Sequence, residues 1–189
     1  HLMPTETQEH LLFDGRKMFI NRNGNHKYWL SSAPDDKMPS VTAMLGHLDS
    51  GAFGAGMGWA LKMARENDGD LTAANRISKE AQEEGTRLHD AIHQYIEKGI
   101  VDETNDLFIT WLNHVGNHHE WSASERFLYH PQLRYGGTAD AFSRPAHTTI
   151  WDWKSKDAES YSKNGGSIKD VAQLGAYAMG LREMGSIYA

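Results

Sequence analysis

Trp151-Asp152-Trp153-Lys154 is the stretch that decides how this chain is interpreted. Side chains alternate between the two faces of a β-strand, so Asp152 and Lys154 share one face, about 7 Å apart along the backbone. The two tryptophans share the other face and can fill a core. A carboxylate and an amine held together on a strand suit a site that binds a metal ion and activates water. The alternative is an ion pair at the edge of a strand.

A second carboxylate, Asp140, lies upstream in the segment Tyr135-Gly-Gly-Thr-Ala-Asp140. If residues 143–147 form a hairpin loop, Asp140 faces Ile150 and is diagonal to Asp152. Diagonal neighbours in a sheet lie about 7–8 Å apart at Cα. Two carboxylates at this separation can share one divalent cation. Taken alone, Asp140 is better explained as a turn aspartate after glycines; its position beside Asp152 favours the metal site.

Length and composition predict one folded domain of 189 residues. We expect a hairpin and loop over 1–38, a helical part over 39–121 and a catalytic core over 122–189. The chain has no cysteine, which excludes a cysteine zinc site, a disulfide framework and a thiol nucleophile. This is compatible with a reducing cytoplasm, where we expect the protein to act. No apolar run approaches the ~20 residues of a membrane span.

The net charge of −6 argues against nucleic acid as a partner. Two points weaken that argument: bound cations neutralise acidic ligands, and binding depends on local patches more than on the total charge. Lys154, Lys156, Lys163 and Lys169 cluster near the proposed site. They can contact phosphates, although a solvated loop has the same composition.

The pattern of the chain predicts an α/β fold, in which a central mixed sheet is flanked by helices. The predicted elements, in order, are a β-hairpin within Lys17–Leu30, a short helix capped by Ser40, a glycine-rich segment over Gly51–Gly58, a helix over Trp59–Arg65, a helix over Leu71–Lys98 capped by Asp70, a helix over Asp106–Trp121, strands over Ser124–Leu133, Tyr135–Phe142 and Thr148–Lys154, a polar loop over Asp157–Ser167 and a helix over Ile168–Met184. Val171, Leu174, Gly175 and Ala178 are expected to face the core in the last helix.

His89 is a candidate imidazole ligand on the long helix. At about 100° per residue it lies on the shoulder of the apolar face, whereas His93 lies farther round, toward solvent. Gly85, one turn earlier, leaves room for a strand or a metal to approach. The alternative is a histidine that packs its ring on the core. No His-Glu-x-x-His motif is present, so we interpret the remaining histidines of the helical part as solvated surface: His93, His114, His118 and His119.

These features occur in the order found in a known superfamily. The matching segments are Pro39-Ser-Val-Thr42, Glu84-Gly-Thr-Arg-Leu-His89, Glu125, Gly137-Thr-Ala-Asp140, Asp152-Trp-Lys154 and Gln173-Leu-Gly-Ala-Tyr177. Together they cover roughly residues 39–181. The chain thereby resembles the PD-(D/E)xK nuclease superfamily, and most closely its RecB-type branch of CRISPR-associated and mitochondrial genome maintenance exonucleases. No single segment is specific, because Asp-x-Lys occurs by chance in many proteins, but their common order is.

The resemblance implies a restriction-endonuclease-like core and a metal-dependent deoxyribonuclease, acting as an exonuclease on DNA ends or single strands. Asp140, Asp152 and the backbone carbonyl of Trp153 would bind Mg²⁺ or Mn²⁺, the latter favoured if His89 is a ligand. Lys154 would orient the water or stabilise the developing charge. The family has a further strand after the last helix, and this sequence stops about where it would begin.

Three residues in the matching segments are open to two interpretations. The functional interpretation of Glu125 is an outer-sphere ligand or a residue that holds a water on a second metal, and the structural one is a surface glutamate on a strand. Gln173 and Tyr177 share one edge of a helix, where they hold a phosphate or brace Lys154, or else simply pack on the sheet. Tryptophans outside the motif can stack bases, although core packing is their commoner role: Trp59, Trp111 and Trp121.

Three other functions remain open at this stage. The first is a structure-selective endonuclease, and the second is a catalytically silent DNA-binding or assembly module that keeps the fold. The third is a different metal hydrolase that uses the histidines, for which retained zinc would be the sign. The complete set of Asp140, Asp152 and Lys154 argues against the silent module, because lost activity usually leaves a broken set.

Overall fold

The computed structural model describes residues 7–12, 14–21, 26–46, 52–144, 149–154 and 167–185. In these residues the protein is mixed α/β, with two antiparallel sheets and five α-helices. Within the same ranges, no helix is long and apolar enough to cross a membrane.

The first sheet confirms the predicted N-terminal hairpin. Its strands pair in chain order: β1 (Thr7–Leu11), β2 (Lys17–Asn21), β3 (Lys27–Leu30) and β4 (Met38–Pro39). The alternating pattern of β2 buries Met18 and Ile20, as expected for a strand with one face on a core. On the opposite face Phe19 lies across from Trp29, and their rings stack.

Four helices follow and differ from prediction mainly at their ends. They are α1 (Val41–Gly46), α2 (Ala52–Glu66), α3 (Ala73–Lys98) and α4 (Asp106–His114). Ser40 caps α1 as expected, because its hydroxyl oxygen accepts a hydrogen bond from the Ala43 N–H at 3.1 Å. Helix α2 begins inside the segment predicted only as glycine-rich. The predicted Asp70 cap of α3 was wrong, because Thr72 is the residue that precedes the helix; Asp70 accepts a hydrogen bond from the Thr72 N–H at 2.8 Å in the turn before it.

Helix α4 ends seven residues before the predicted end at Trp121. The chain passes through a short 3₁₀ turn, Gly116–His118, and Trp121 lies instead in the next strand. A Cβ atom on Gly116 would lie 2.8 Å from the Trp111 ring, so the turn packs closely against the helix. The Trp121 indole donates to the Gly116 carbonyl at 2.8 Å, which fixes the turn to the strand.

The second sheet carries the candidate site, and its register differs from the predicted one. Its strands are β5 (Glu120–His130), β6 (Tyr135–Arg144) and β7 (Thr149–Trp151), in that order. Phe142, rather than Asp140, faces Ile150. Continued by one pair, this register places Asp140 directly across from Asp152 instead of diagonal to it. The prediction was wrong by two residues because β6 continues to Arg144 and β7 ends before Asp152.

All described strand pairs are antiparallel, and an isolated parallel bridge joins Ser40 to Gly136. A mixed sheet was predicted, and among the described residues this bridge is the one parallel pairing. A Cβ on Gly136 would lie 2.4 Å from the Tyr28 ring, so only glycine allows the first sheet to pack here on β6. The mixed α/β class is therefore confirmed in its coarse form.

Two apolar clusters lie on either side of the candidate site. One joins the two sheets to helix α5 (Ile168–Glu183), where Gly180 packs against Leu128. The other joins α3 and α4 and includes Trp111, Trp121 and Trp153. The predicted core face of α5 was wrong, because Val171 is 68% exposed whereas Gln173 is buried. Burial of that amide is compatible with a stable fold because it has hydrogen-bond partners.

Candidate active site

Asp152 and Lys154 follow directly after β7 and contact each other. The Lys154 ammonium lies 2.5 Å from one Asp152 carboxylate oxygen, and the Asp152 side chain is only 4% exposed. The predicted common orientation is confirmed, although the two residues lie just beyond the strand rather than in it. A carboxylate this deeply buried requires strong partners, whereas the acid of an ion pair at a solvated strand edge remains hydrated. The burial of Asp152 therefore argues against the edge ion pair.

Asp140, on β6, is the second buried carboxylate of the site. One of its oxygens accepts a hydrogen bond from the Trp153 N–H at 2.6 Å, and its side chain is 18% exposed. Burial, and then the negative charge of Asp152, raise its pKa to about 6, against the opposing effects of His89, the Trp153 N–H and Lys154. The two carboxylates therefore share one buried site in which Lys154 is the nearest ammonium group, and a bound cation would reduce the repulsion between them.

His89, on α3, faces the carboxylate of Asp140. Its Nδ1 lies 3.7 Å from the second Asp140 oxygen, too far for a hydrogen bond. A cation at about 2.0–2.2 Å from each atom fits within that separation. Both residues line a hollow of about 490 Å³, which Gly85 and Tyr177 also line. The position predicted for His89 next to Asp140 is thus seen, while its role as a ligand stays a prediction.

Glu125 lines the same hollow and has an unusual backbone. Its φ is +46°, in the left-handed region that non-glycine residues rarely adopt. In the register of β5 and β6 it lies across from Asp140. Its neighbours are held to α3: the N–H and hydroxyl of Ser124 donate to Glu97 at 2.9 and 3.1 Å, and Arg126 lies 3.8 Å from the same carboxylate. Strained backbone of this kind is concentrated at functional sites, where the surroundings hold it in place.

His93 belongs to this network and not to the solvated surface. Its Nδ1 lies 2.6 Å from the Ser124 hydroxyl. The prediction of a solvent-facing His93 was wrong because β5 packs along α3 and places Ser124 against this histidine. The i, i+4 spacing of His93 and Glu97 on α3 is the sequence signal for a polar pair directed at one strand.

Of the other three histidines predicted to lie on the surface, two are exposed and one packs on tryptophans. His114 and His118 are exposed, as predicted. His119 is not a solvated helix residue, because it precedes β5 and its ring packs 4.8 Å from that of Trp151 and 5.6 Å from that of Trp121.

Gln173 and Tyr177 share one edge of α5, as predicted, but they support a different residue. The Gln173 amide donates to Asp152 at 2.9 Å and to the Tyr177 hydroxyl at 2.7 Å. The amide therefore braces Asp152 rather than Lys154. Burial is the main cause that raises the pKa of Tyr177, whose ring packs over Gly137. Gln173 and Tyr177 therefore do both: they pack α5 on the sheet and help to hold the Asp152 carboxylate in place.

The tryptophans mostly form a cluster behind the site. Trp151 and Trp153 stack at 5.4 Å, which confirms that they share a face. Trp111 and Trp121 pack with them, in the core role that was the commoner expectation. Trp59, on α2, is 42% exposed. In the predicted basic cluster, Lys169 lies on α5, while Lys156 and Lys163 lie outside the described residues.

The described residues contain no group of three histidine or acidic side chains already arranged around a metal position. A magnesium-type site does not require one, since Mg²⁺ commonly binds through one or two carboxylates and keeps several waters. Asp140 and Asp152 supply two such carboxylates, each with further lone pairs. For the Trp153 backbone, the contact seen is its N–H to Asp140; the role of its carbonyl stays a prediction.

Comparisons of this chain with models of known protein families, with curated proteins and with solved structures found no match.

Proposed function

We propose that this protein is a divalent-metal-dependent deoxyribonuclease with a restriction-endonuclease-like core. The observation that supports this most strongly is the convergence of Asp140, in the middle of β6, with Asp152 and Lys154, which follow the end of the adjacent strand β7. Two buried carboxylates, one with its pKa raised to about 6, face a single ammonium group. A structural ion pair needs only one acid per base, so the second acid favours a cation site.

The residues of the chain divide the work of phosphodiester hydrolysis. Asp140 and Asp152 would hold Mg²⁺ or Mn²⁺, with His89 as an additional ligand on the side of Asp140. The cation, when bound, supplies Lewis-acid activation of the phosphodiester and of the attacking water. Lys154 would then pair less closely with Asp152, and its ammonium would orient the water or stabilise charge on the phosphate. Gln173 keeps Asp152 in position.

Action on DNA ends or single strands, as an exonuclease, is proposed from the sequence resemblance. A structure-selective endonuclease uses the same chemistry and is the alternative outcome of the test below. A silent DNA-binding module would not require Asp140 and Lys154 to converge on Asp152.

The test is incubation of the purified protein with end-labelled single- and double-stranded DNA, with Mg²⁺, with Mn²⁺ and with chelator. We expect cleavage only with metal, none from Asp152→Ala, and normal cleavage from Lys79→Ala, a control on the exposed surface of α3. Release of mononucleotides would indicate an exonuclease, and internal fragments an endonuclease. Cleavage that persists in chelator, or in Asp152→Ala, would refute the proposal.

A further inference from the structure

A groove lies next to Lys154, on the side of the site away from the two sheets. It runs between α2, α3 and α4 and has a volume of about 1080 Å³. Binding sites for small ligands commonly measure about 300–1,000 Å³, so the groove is large enough for a nucleotide-sized group. Trp59 on α2 and Trp111 on α4 line it, as does Lys154, whose ammonium contacts Asp152.

Trp59 differs from the tryptophans behind the site. Those rings contact one another in the aromatic cluster of α4 and the second sheet, whereas Trp59 is 42% exposed in the groove. An exposed indole beside a catalytic residue offers a flat face to a planar ligand. Nucleobases stack on such faces whatever their sequence.

The charges of this groove suit an anionic chain. It is lined by two lysines, Lys62 and Lys154, and by one acidic side chain, Glu84. Lys62 lies 3.8 Å from Glu66, an exposed pair worth little, so its ammonium can turn to a phosphate. The neighbouring hollow on the other flank of α3 has the opposite balance, with one arginine among four acids: Glu84, Arg87, Asp90, Asp102 and Asp106. In a chain of net charge −6, this contrast favours entry through the first groove.

The groove adjoins the candidate active site. Ala81 on α3 lines both the groove and the hollow that contains His89 and Asp140, and Lys154, which also lines the groove, contacts Asp152. A strand whose phosphodiester lies at the carboxylates would place its neighbouring nucleotide near the groove. A base in a duplex already stacks on its neighbours, so only an unpaired base can offer its face to Trp59.

We infer that this groove is a binding site for single-stranded DNA, in which Trp59 stacks a base and Lys62 contacts the backbone. The inference rests on the proposed function for its orientation, and it adds a source of selectivity for unpaired strands. Binding by the groove does not itself need hydrolysis, so it can be measured separately.

The experiment measures the affinity of a labelled ten-residue oligothymidine and of a labelled hairpin duplex by fluorescence anisotropy, in Ca²⁺. Trp59→Ala is compared with Leu61→Ala, a control at an exposed apolar residue of the same helix that does not line the groove. We expect Trp59→Ala to weaken oligothymidine binding by about ten-fold or more, as for the loss of one stacked base, with little change for the duplex. Lys62→Ala should reduce the slope of log affinity against log salt by about 0.7, relative to Lys79→Ala.

Equal oligothymidine affinity in Trp59→Ala and Leu61→Ala would overturn the inference, as would an equal loss for strand and duplex. Hydrolysis of bis(p-nitrophenyl) phosphate by the wild-type protein, a phosphodiester without a base, reports the metal site alone. If that hydrolysis is absent while Trp59→Ala loses strand binding, the groove stands and the proposed nuclease fails. If hydrolysis is present while Trp59→Ala binds normally, only the groove fails.

Discussion

The side-chain amide of Gln173 donates a hydrogen bond to Asp152 at 2.9 Å, which links α5 to the end of β7. The same amide group donates to Tyr177, so the carboxylate is held by a helix edge that is itself packed over β6. Because Lys154 occupies the other Asp152 oxygen, both oxygens of this carboxylate are held in place. The carboxylate is thus oriented before a ligand binds, and a cation at Asp152 would replace the Lys154 contact while the Gln173 hydrogen bond stays.

Replacement of Gln173 tests this support. Gln173→Leu leaves one oxygen of a buried carboxylate without its donor, so we expect the free energy of unfolding to fall by about 1–3 kcal/mol. Urea denaturation measures the loss, and Val171→Ala, at a 68% exposed position of the same helix, is the control. We also expect a lower kcat for Gln173→Leu, measured where the protein is fully folded. A variant as stable and as active as Val171→Ala would show that the hydrogen bond is incidental.

Lys154 is predicted to act in the chemical step and not in binding. Lys154→Ala should retain metal-dependent DNA affinity, because Asp140 and Asp152 remain, but lose cleavage. Removal of a group that acts on the transition state lowers kcat with little change in substrate affinity. Anisotropy in Ca²⁺ and cleavage in Mg²⁺ measure the two effects, with Lys79→Ala as control. Cleavage by Lys154→Ala close to the wild-type rate would contradict this role.

His89 and His93 are predicted to differ although they lie one turn apart on α3. His89 faces Asp140, so His89→Ala should weaken Mn²⁺ binding by about ten-fold or more. His93 contacts Ser124 at 2.6 Å, so His93→Ala should instead lower thermal stability and leave Mn²⁺ affinity nearly unchanged. Calorimetric titration and thermal denaturation separate the two. Equal losses of Mn²⁺ affinity, or no loss in either variant, would show that His89 is not a ligand.

The raised pKa of Asp140 predicts how stability depends on pH in metal-free protein. Its pKa is about 6 in the folded protein, compared with an ordinary value of 3.8 that we take for the unfolded chain. At pH values between the two, the folded state holds a proton that the unfolded state has released. The contribution of Asp140 to stability is therefore lost as pH rises from about 4 to about 6.

The variant Asp140→Asn removes this titration. The free energy of unfolding of Asp140→Asn minus that of wild type should be about 2 kcal/mol higher at pH 7.5 than at pH 4.5, because wild type loses stability over this range. Chemical denaturation at both values with chelator measures it, and Asp35→Asn, on an exposed turn, is the control. A difference between Asp140→Asn and wild type that is independent of pH would contradict the assigned pKa.

The predictable part of the fold was local. The hairpin around residues 17–30, the Ser40 cap and the long helix α3 follow from periodicity and capping chemistry, which are properties of neighbouring residues. The contact between Asp152 and Lys154 was also predictable, because residues two positions apart in an extended chain share one face. These features needed no knowledge of the rest of the chain.

The unpredicted part depends on contacts between distant segments. The register of β6 and β7 was displaced by two residues, because the length of β6 is set by pairing with β5 as well as by its own turn. The burial of Gln173 on α5 depends on the presence of Asp152, 21 positions away. The left-handed backbone of Glu125 depends on Glu97 and Ser124, and a glutamate gives no local sign of such a conformation.

The central claim is that Asp140 and Asp152 hold one divalent cation together. The direct test is electron paramagnetic resonance of free Mn²⁺ during titration of wild-type protein, Asp140→Asn, Asp152→Asn and the double variant. We predict binding by wild type, a loss of about ten-fold or more in each single variant, and a double-variant loss smaller than the sum of the single losses in free energy, because both residues serve one ion. No Mn²⁺ binding by wild type, unchanged binding in either single variant, or fully additive losses would contradict the claim.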